Sequence, residues 1–245
     1  MEKRRLSLIL ILIFSLSISL SFWACQDRLF DNPFDPQAGE IILEIINTIT
    51  TPSLSPGEMT WDGNTLWNID EASNTLYSLN RLNGTVVYSL TSPLKETSGI
   101  AYDGEGLWLC SLTQTDILKI NFFTGEIQKR LNLQKGIFTA IEYSNGGLWI
   151  ADAQSNKIIN YDANTGEVLT SFSNPGFQVD GLAFDGNYLW IADSSTMTIY
   201  QLTTSGKVVR TFIAPSQMPR GLASDGQYLW NVDGNRKIYQ VKIPY

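Results

Sequence analysis

The 245-residue chain carries 17 basic and 24 acidic side chains and no histidine. The missing imidazole excludes Ser-His-Asp and Cys-His nucleophile systems, histidine general bases and the commonest metal ligand. A net charge of −7 with no Lys/Arg cluster beyond the N-terminal head argues against nucleic acid or an anionic lipid surface as partner.

Met1 to Arg5 form a basic head, Leu6 to Trp23 an apolar stretch, and Ala24 a small residue before Cys25. This is the layout of a secretory signal peptide over residues 1–24. The stretch is also about the length of a membrane helix, but Ser15, Ser17, Ser19 and Ser21 dilute it. The junction Phe22-Trp23-Ala24-Cys25 resembles the lipobox of bacterial lipoproteins, with Phe22 where leucine is usual and a bulky Trp23. The resemblance implies cleavage before Cys25, diacylglycerol on its sulfur and acylation of the new N-terminus. Several acyl chains anchor a protein durably to a membrane. Gln26 stands where an aspartate would stand in a protein retained at the inner membrane, which implies sorting to the outer membrane. Cleavage removes Lys3, Arg4, Arg5 and Glu2 and leaves 14 basic and 23 acidic groups, a net of −9. With Cys25 lipidated, Cys110 is the only cysteine left, so no intramolecular disulfide can form.

Residues 25–40 have proline and turn punctuation and no periodicity, so they read as a tether. Phe30 and Phe34 could dock on the folded domain. From Ile41 onward a repeat governs the chain. Leu-Trp recurs at Leu66-Trp67, Leu107-Trp108, Leu148-Trp149, Leu189-Trp190 and Leu229-Trp230, at intervals of 41, 41, 41 and 40 residues. A period of roughly 40–45 residues is that of a four-stranded propeller blade.

The fourth unit gives the template. Gly181–Phe184 is a short first strand, Asp185-Gly186 a tight turn, Tyr188–Ala192 a second strand ending in Asp193, Thr198–Leu202 a third, and Lys207–Ile213 a fourth after Ser205-Gly206. Glycine at the turns supplies positive φ. Trp190 and its neighbours make the second strand apolar on both faces, as a blade clamped between two others requires. Ile41–Thr50 matches a fourth strand without its own first three, and the last unit has three strands and no fourth. The sequence therefore predicts an all-β, five-bladed propeller over residues 41–245, closed by the N-terminal strand completing the C-terminal blade.

The five tryptophans are expected to pack between blades. Asp70, Asp152, Asp193 and Asp233, with Ser111 in the second unit, end the second strands and are expected to cap turns through backbone N–H groups instead of holding a metal. Cys110 aligns with small apolar residues and reads as a buried hydrophobe. No cofactor or metal constellation is recognised. Function is expected where the repeats disagree, in the loops joining each fourth strand to the next first strand. Their candidate ligand-binding residues are Lys95, Glu96, Phe138, Phe177, Gln178, Met218 and Arg220. The residues just before the first strands around the channel are Gly57, Ser98, Thr139, Asp180 and Arg220, and Asp180 could pair with Arg220.

Gly181-Leu182-Ala183-Phe184-Asp185-Gly186-Asn187-Tyr188-Leu189-Trp190-Ile191-Ala192-Asp193 resembles bacterial propellers of the NHL and YVTN kind, which implies a fold more than an activity. With five blades, the plant-type glutaminyl cyclotransferases are also similar. Their Asn-Glu-Leu-Glu-Tyr-like first strand is matched by Glu142-Tyr143 of Thr139–Tyr143, while Pro56–Thr60 does not match their Gln-Gly-Leu-Glu-like one. The residues thus leave two readings. One is a lipid-anchored module binding a protein, peptide or glycan. The other is a carboxylate-dependent cyclotransferase-like or lyase-type enzyme using Glu142, Asp180 or Glu58, with Arg220 stabilising charge.

Overall fold

The computed structural model describes residues 40–244. The expected signal peptide, the expected lipidation of Cys25 and the expected tether with Phe30 and Phe34 lie outside the described residues. Two strands come first, β1 (Glu40–Ile42) and β2 (Ile45–Thr50). The first blade is β3 (Pro56–Trp61), β4 (Leu66–Asp70), β5 (Thr75–Leu79) and β6 (Val86–Thr91). The second is β7 (Thr97–Tyr102), β8 (Leu107–Ser111), β9 (Asp116–Ile120) and β10 (Ile127–Asn132). The third is β11 (Phe138–Ser144), β12 (Gly147–Asp152), β13 (Lys157–Asp162) and β14 (Val168–Ser173). The fourth is β15 (Val179–Phe184), β16 (Leu189–Asp193), β17 (Thr198–Leu202) and β18 (Val208–Ile213). The fifth takes β19 (Pro219–Ser224), β20 (Tyr228–Asp233) and β21 (Lys237–Lys242) from the C-terminus and β2 from the N-terminus.

Closure is antiparallel pairing of β2 on β21, with Ile49 opposite Ile238 and Thr50 opposite Lys237. Joining the chain's two ends in one blade leaves no open end to the ring, which removes the unpaired radial edge an open array would carry. Ile41 and Ile42 depart from the expected fourth strand. The chain bends at Leu43-Glu44, and β1 instead pairs in parallel with β18, placing Ile41 opposite Phe212. At the bend Leu43 is buried among Trp190, Phe212 and Val241, where the fourth blade meets the fifth.

Each repeat tryptophan packs on the next blade, which explains the two apolar faces. Trp67 meets Ile100 and Leu109, Trp108 meets Ile141 and Ile150, Trp149 meets Leu182 and Ile191, Trp190 meets Leu222 and Leu229, and Trp230 meets Met59 and Leu66. The last contact crosses the closure. The tryptophans and the Asp-Gly turns are one device. Trp67, Trp108, Trp190 and Trp230 each donate the indole N–H to the turn aspartate five residues before, at 2.7–3.2 Å. Trp149 uses Ser144 Oγ at 3.0 Å. Gly63, Gly104, Gly146, Gly186 and Gly226 follow at φ between +81° and +99°. Glycine adopts this conformation without strain.

Candidate functional site

The innermost strands β3, β7, β11, β15 and β19 line the channel, and each begins two residues before its expected start. Pairing with the second strand slips after Pro56, Thr97, Phe138, Val179 and Pro219. Gly57, Ser98, Thr139, Asp180 and Arg220 fall at these bulges. A bulge releases a residue from the ladder and re-aims its side chain; the Ser98 hydroxyl bonds the Phe138 carbonyl, whereas Asp180 and Arg220 turn toward the mouth of the channel.

Three charged groups meet there. Arg220 Nη1 lies 3.3 Å from Asp180 Oδ1, and Asp180 Oδ2 accepts the Ser194 N–H at 3.1 Å. The third is Glu71, absent from the expected set. Its carboxylate lies against Gly57, where an added Cβ would come within 2.8 Å of Oε1. Burial raises the Glu71 carboxyl; Arg220 opposes the shift, while Asp180 and Asp70 add to it. The signal was present in the repeat: residues following the strand-end acid or serine read Glu71, Leu112, Ala153, Ser194 and Gly234, and only one is charged.

One residue deeper, the ring reads Glu58, Gly99, Ala140, Gly181 and Gly221. The small residues let the strands approach closely: a Cβ on Gly221 would stand 2.5 Å from the Glu58 Cα. Glu58 is fully buried. Its Oε1 accepts N–H groups from Leu222 at 2.9 Å and Met59 at 3.1 Å, and its Oε2 accepts from Leu182 at 3.1 Å. The first blade has the second and fifth as neighbours, so contact with Leu182 of the fourth carries the side chain across the axis. Burial pushes the Glu58 carboxyl well up despite these donors, and the charge of Glu142 adds to the rise.

Glu142 lies in the layer two residues further along, beside Thr60, Ala101, Ala183 and Ala223, about 6–7 Å down a strand. It is buried, and burial raises its carboxyl well above the usual range, opposed by the Tyr143 N–H. Among the described residues, neither Glu58 nor Glu142 is ion-paired to Lys or Arg. The four candidate catalytic residues therefore separate into two groups: Asp180 with Arg220 at the mouth, and Glu58 with Glu142 inside.

The loop-face candidates divide as well. Phe138 is not available to a ligand, since it opens β11 and is fully buried against Cys110 and Ile150. Its carbonyl accepts the Ser98 hydroxyl at 2.5 Å. Lys95, Glu96, Gln178 and Met218 are exposed, and Phe177 is 82% exposed. Exposed Leu54 and Ile137 join Phe177 and Met218 on the same face. Between the third and fourth blades this face opens into a cavity of about 250 Å³ lined by Thr139, Ala153, Lys157, Asn174, Phe177 and Gln178 among others.

The strand-end aspartates hold that face in place. Asp193 Oδ2 accepts the Phe177 N–H at 2.6 Å and the Gln178 N–H at 3.2 Å, while its Oδ1 accepts from Ser195 and Thr196. Asp70 likewise receives Leu54, Ser55 and Ala72, and Asp152 receives Ile137 and Gln154. Each carboxylate ties its own turn to the incoming loop.

No family model and no curated protein matches the chain. Solved structures do. Glutaminyl cyclase from Myxococcus xanthus superposes with a TM-score of 0.73 at 13% identity, covering 83% of this chain and 97% of that one. A catalytically inactive histidine-to-alanine variant of virginiamycin B lyase from Staphylococcus aureus, with quinupristin, gives 0.52 at 20% identity, covering 79% and 68%. The Cps50 (Swd1) β-propeller domain from Myceliophteria thermophila gives 0.53 at 10% identity, covering 82% and 100%. At these identities the likeness is one of fold.

Proposed function

We propose that this chain is an exported propeller, anchored to the bacterial envelope by lipid on Cys25 and sorted to the outer membrane, which binds a protein or peptide segment on its loop face. The carrying observation is the exposed set Leu54, Ile137, Phe177 and Met218 on the loop face, where Phe177 lines the 250 Å³ cavity. Exposed apolar side chains gathered on one face, with charged groups close by, suit a proteinaceous partner. A glycan fits less well, because Phe177 is the one strongly exposed aromatic of this face among the described residues. The carboxylates favour binding over chemistry. Glu58 spends both oxygens on backbone N–H groups and Asp180 is engaged by Arg220, so neither is open to a substrate. The lyase neighbour is inactive as a histidine-to-alanine variant, and this chain has no histidine to supply.

The test is capture from envelope extract by the wild type and by a Phe177→Ser/Ile137→Ser variant of unchanged melting temperature. Loss of the captured partner with the variant supports the reading; identical capture sinks it. The second reading rests on Glu142, a buried acid with a raised pKa in a fold like that of a glutaminyl cyclase. Its assay is turnover of glutaminyl peptides by wild type and Glu142→Gln. Turnover abolished by that change would displace the binding reading.

A further inference from the structure

On the opposite face, where the fourth and fifth blades meet, a second cavity of about 230 Å³ opens. Its walls are Val209, Ile243, Pro244 and Tyr188, with Gln201 and Arg210 as its main polar groups. Gln201 is 3% exposed, and its Oε1 accepts no hydrogen bond from any described group. A buried acceptor left without a partner is costly, so a donor entering the cavity would be favoured there. Of the equivalent third-strand positions, Ser78 is engaged by Thr65 at 2.7 Å and Lys119 by Asp103 at 2.7 Å, while Asn160 has a buried Oδ1 that is likewise unpartnered among the described residues but is covered by the backbone at Gly147.

Gln201 faces Arg210 across β17 and β18. Arg210 donates one N–H to the Pro244 carbonyl at 2.8 Å and has no carboxylate in ion-pair range among the described residues. A guanidinium has five N–H donors in a fork that matches a carboxylate, so among the described residues most of its capacity is uncommitted. Asp185, also at the rim, is already engaged. It accepts N–H groups from Asn187, Tyr188 and the Trp190 indole at 2.7–2.8 Å.

We infer that this cavity is a second binding site, for a carboxylate with an adjoining amide N–H and one small apolar side chain. The carboxylate sits on Arg210, the amide N–H donates to Gln201 Oε1, and the side chain lies against Val209, Ile243 and Pro244. An N-acyl amino acid and the carboxy-terminal residue of a peptide share this chemistry.

The experiment titrates the full detergent-solubilised chain with N-acetyl-L-valine, with its N-methylamide and with acetyl-Ala-Ala-Val, by calorimetry. N-acetyl-L-valine should saturate, and the N-methylamide should bind about tenfold more weakly or worse, since a charge-assisted pair to Arg210 is lost. Arg210→Lys keeps the charge but not the fork, and Gln201→Met keeps the volume but not the acceptor. Each should weaken binding several-fold at an unchanged melting temperature, whereas Arg130→Gln on the second blade should leave binding as in wild type. Tighter binding of the tripeptide identifies a peptide end as the ligand, and tighter binding of N-acetyl-L-valine a free acylamino acid. No saturation by either acid, equal binding of acid and N-methylamide, or indifference to both Arg210→Lys and Gln201→Met overturns the proposal.

Discussion

Trp149 is 2% exposed, its ring centroid lies 5.8 Å from that of Phe172, and its indole N–H is satisfied by Ser144. Burying such a ring removes about 150–250 Å² from water, or about 4–6 kcal/mol as an upper figure. Trp149→Ala should therefore cost about 3–5 kcal/mol, read as a lower melting temperature with loss of the third-to-fourth blade contact; an unchanged melt would refute the packing role. Glu142 acts in the opposite sense. Its folded pKa is raised by burial, so the protonated acid is the stabilised form. That contribution is complete below the unfolded value near 4.5 and is lost as pH rises toward the folded pKa. Glu142→Gln removes the titration at nearly constant shape. It should melt higher than wild type at pH 8 and lose that advantage toward pH 4. A melt difference independent of pH would contradict the assignment.

At the level of loops and strands, Asp193 controls the segment that carries Phe177. Burial alone would raise its carboxyl, but the N–H groups of Phe177, Thr196 and Gln178 and the Ser195 hydroxyl outweigh it and hold it below the usual range. Its stabilisation is present above the unfolded pKa near 3.8 and is lost as pH falls through the lower folded value. Asp193→Ala should cost about 2–3 kcal/mol and open the 174–178 loop to limited proteolysis; a loop as resistant as in wild type would contradict the tie. The tie to the incoming loop, made by Asp70, Asp152 and Asp193, was not legible in the sequence. The capping role was, because it repeats: the same acid ends β4, β12, β16 and β20. The Leu-Trp pairs were legible for the same reason, as was the pairing of Asp180 with Arg220 once the inner strands were aligned. What repetition did not reveal was singular. Phe138 occupies a loop position in sequence, yet a strand starting earlier turns it inward. Glu71 reaches the mouth from the second-to-third-strand turn, so alignment of the inner strands alone passed it over. The axial position of Glu58 follows from the ring's width, which depends on Gly99, Gly181 and Gly221 jointly and on no single residue.

For the whole molecule, the two N-terminal strands divide the work of closure. β2 is the outer strand of the fifth blade, with Ile49 buried in the cluster that joins the fifth blade to the first through Trp230 and Met59. β1 only adds three residues to the outside of the fourth blade, and its Ile42 is 77% exposed. Between them Leu43 is buried on Trp190, so the described chain enters the fold at the fourth-to-fifth blade junction. Truncation can separate these roles. A chain beginning at Leu43 keeps the buried leucine and β2, loses only surface pairing, and should unfold cooperatively within about 1 kcal/mol of the longer chain, as most surface changes do. A chain beginning at Pro52 lacks β2. It leaves β21 with an open edge and exposes Val232 and Ile238, so strand exchange between copies becomes the available way to satisfy that edge. It should lose its cooperative melt or elute as dimers and larger species, and adding a peptide of residues 43–51 should restore the monomer. Cooperative monomeric unfolding of the chain beginning at Pro52 would show that the three C-terminal strands make a self-sufficient blade and that β2 is dispensable for closure.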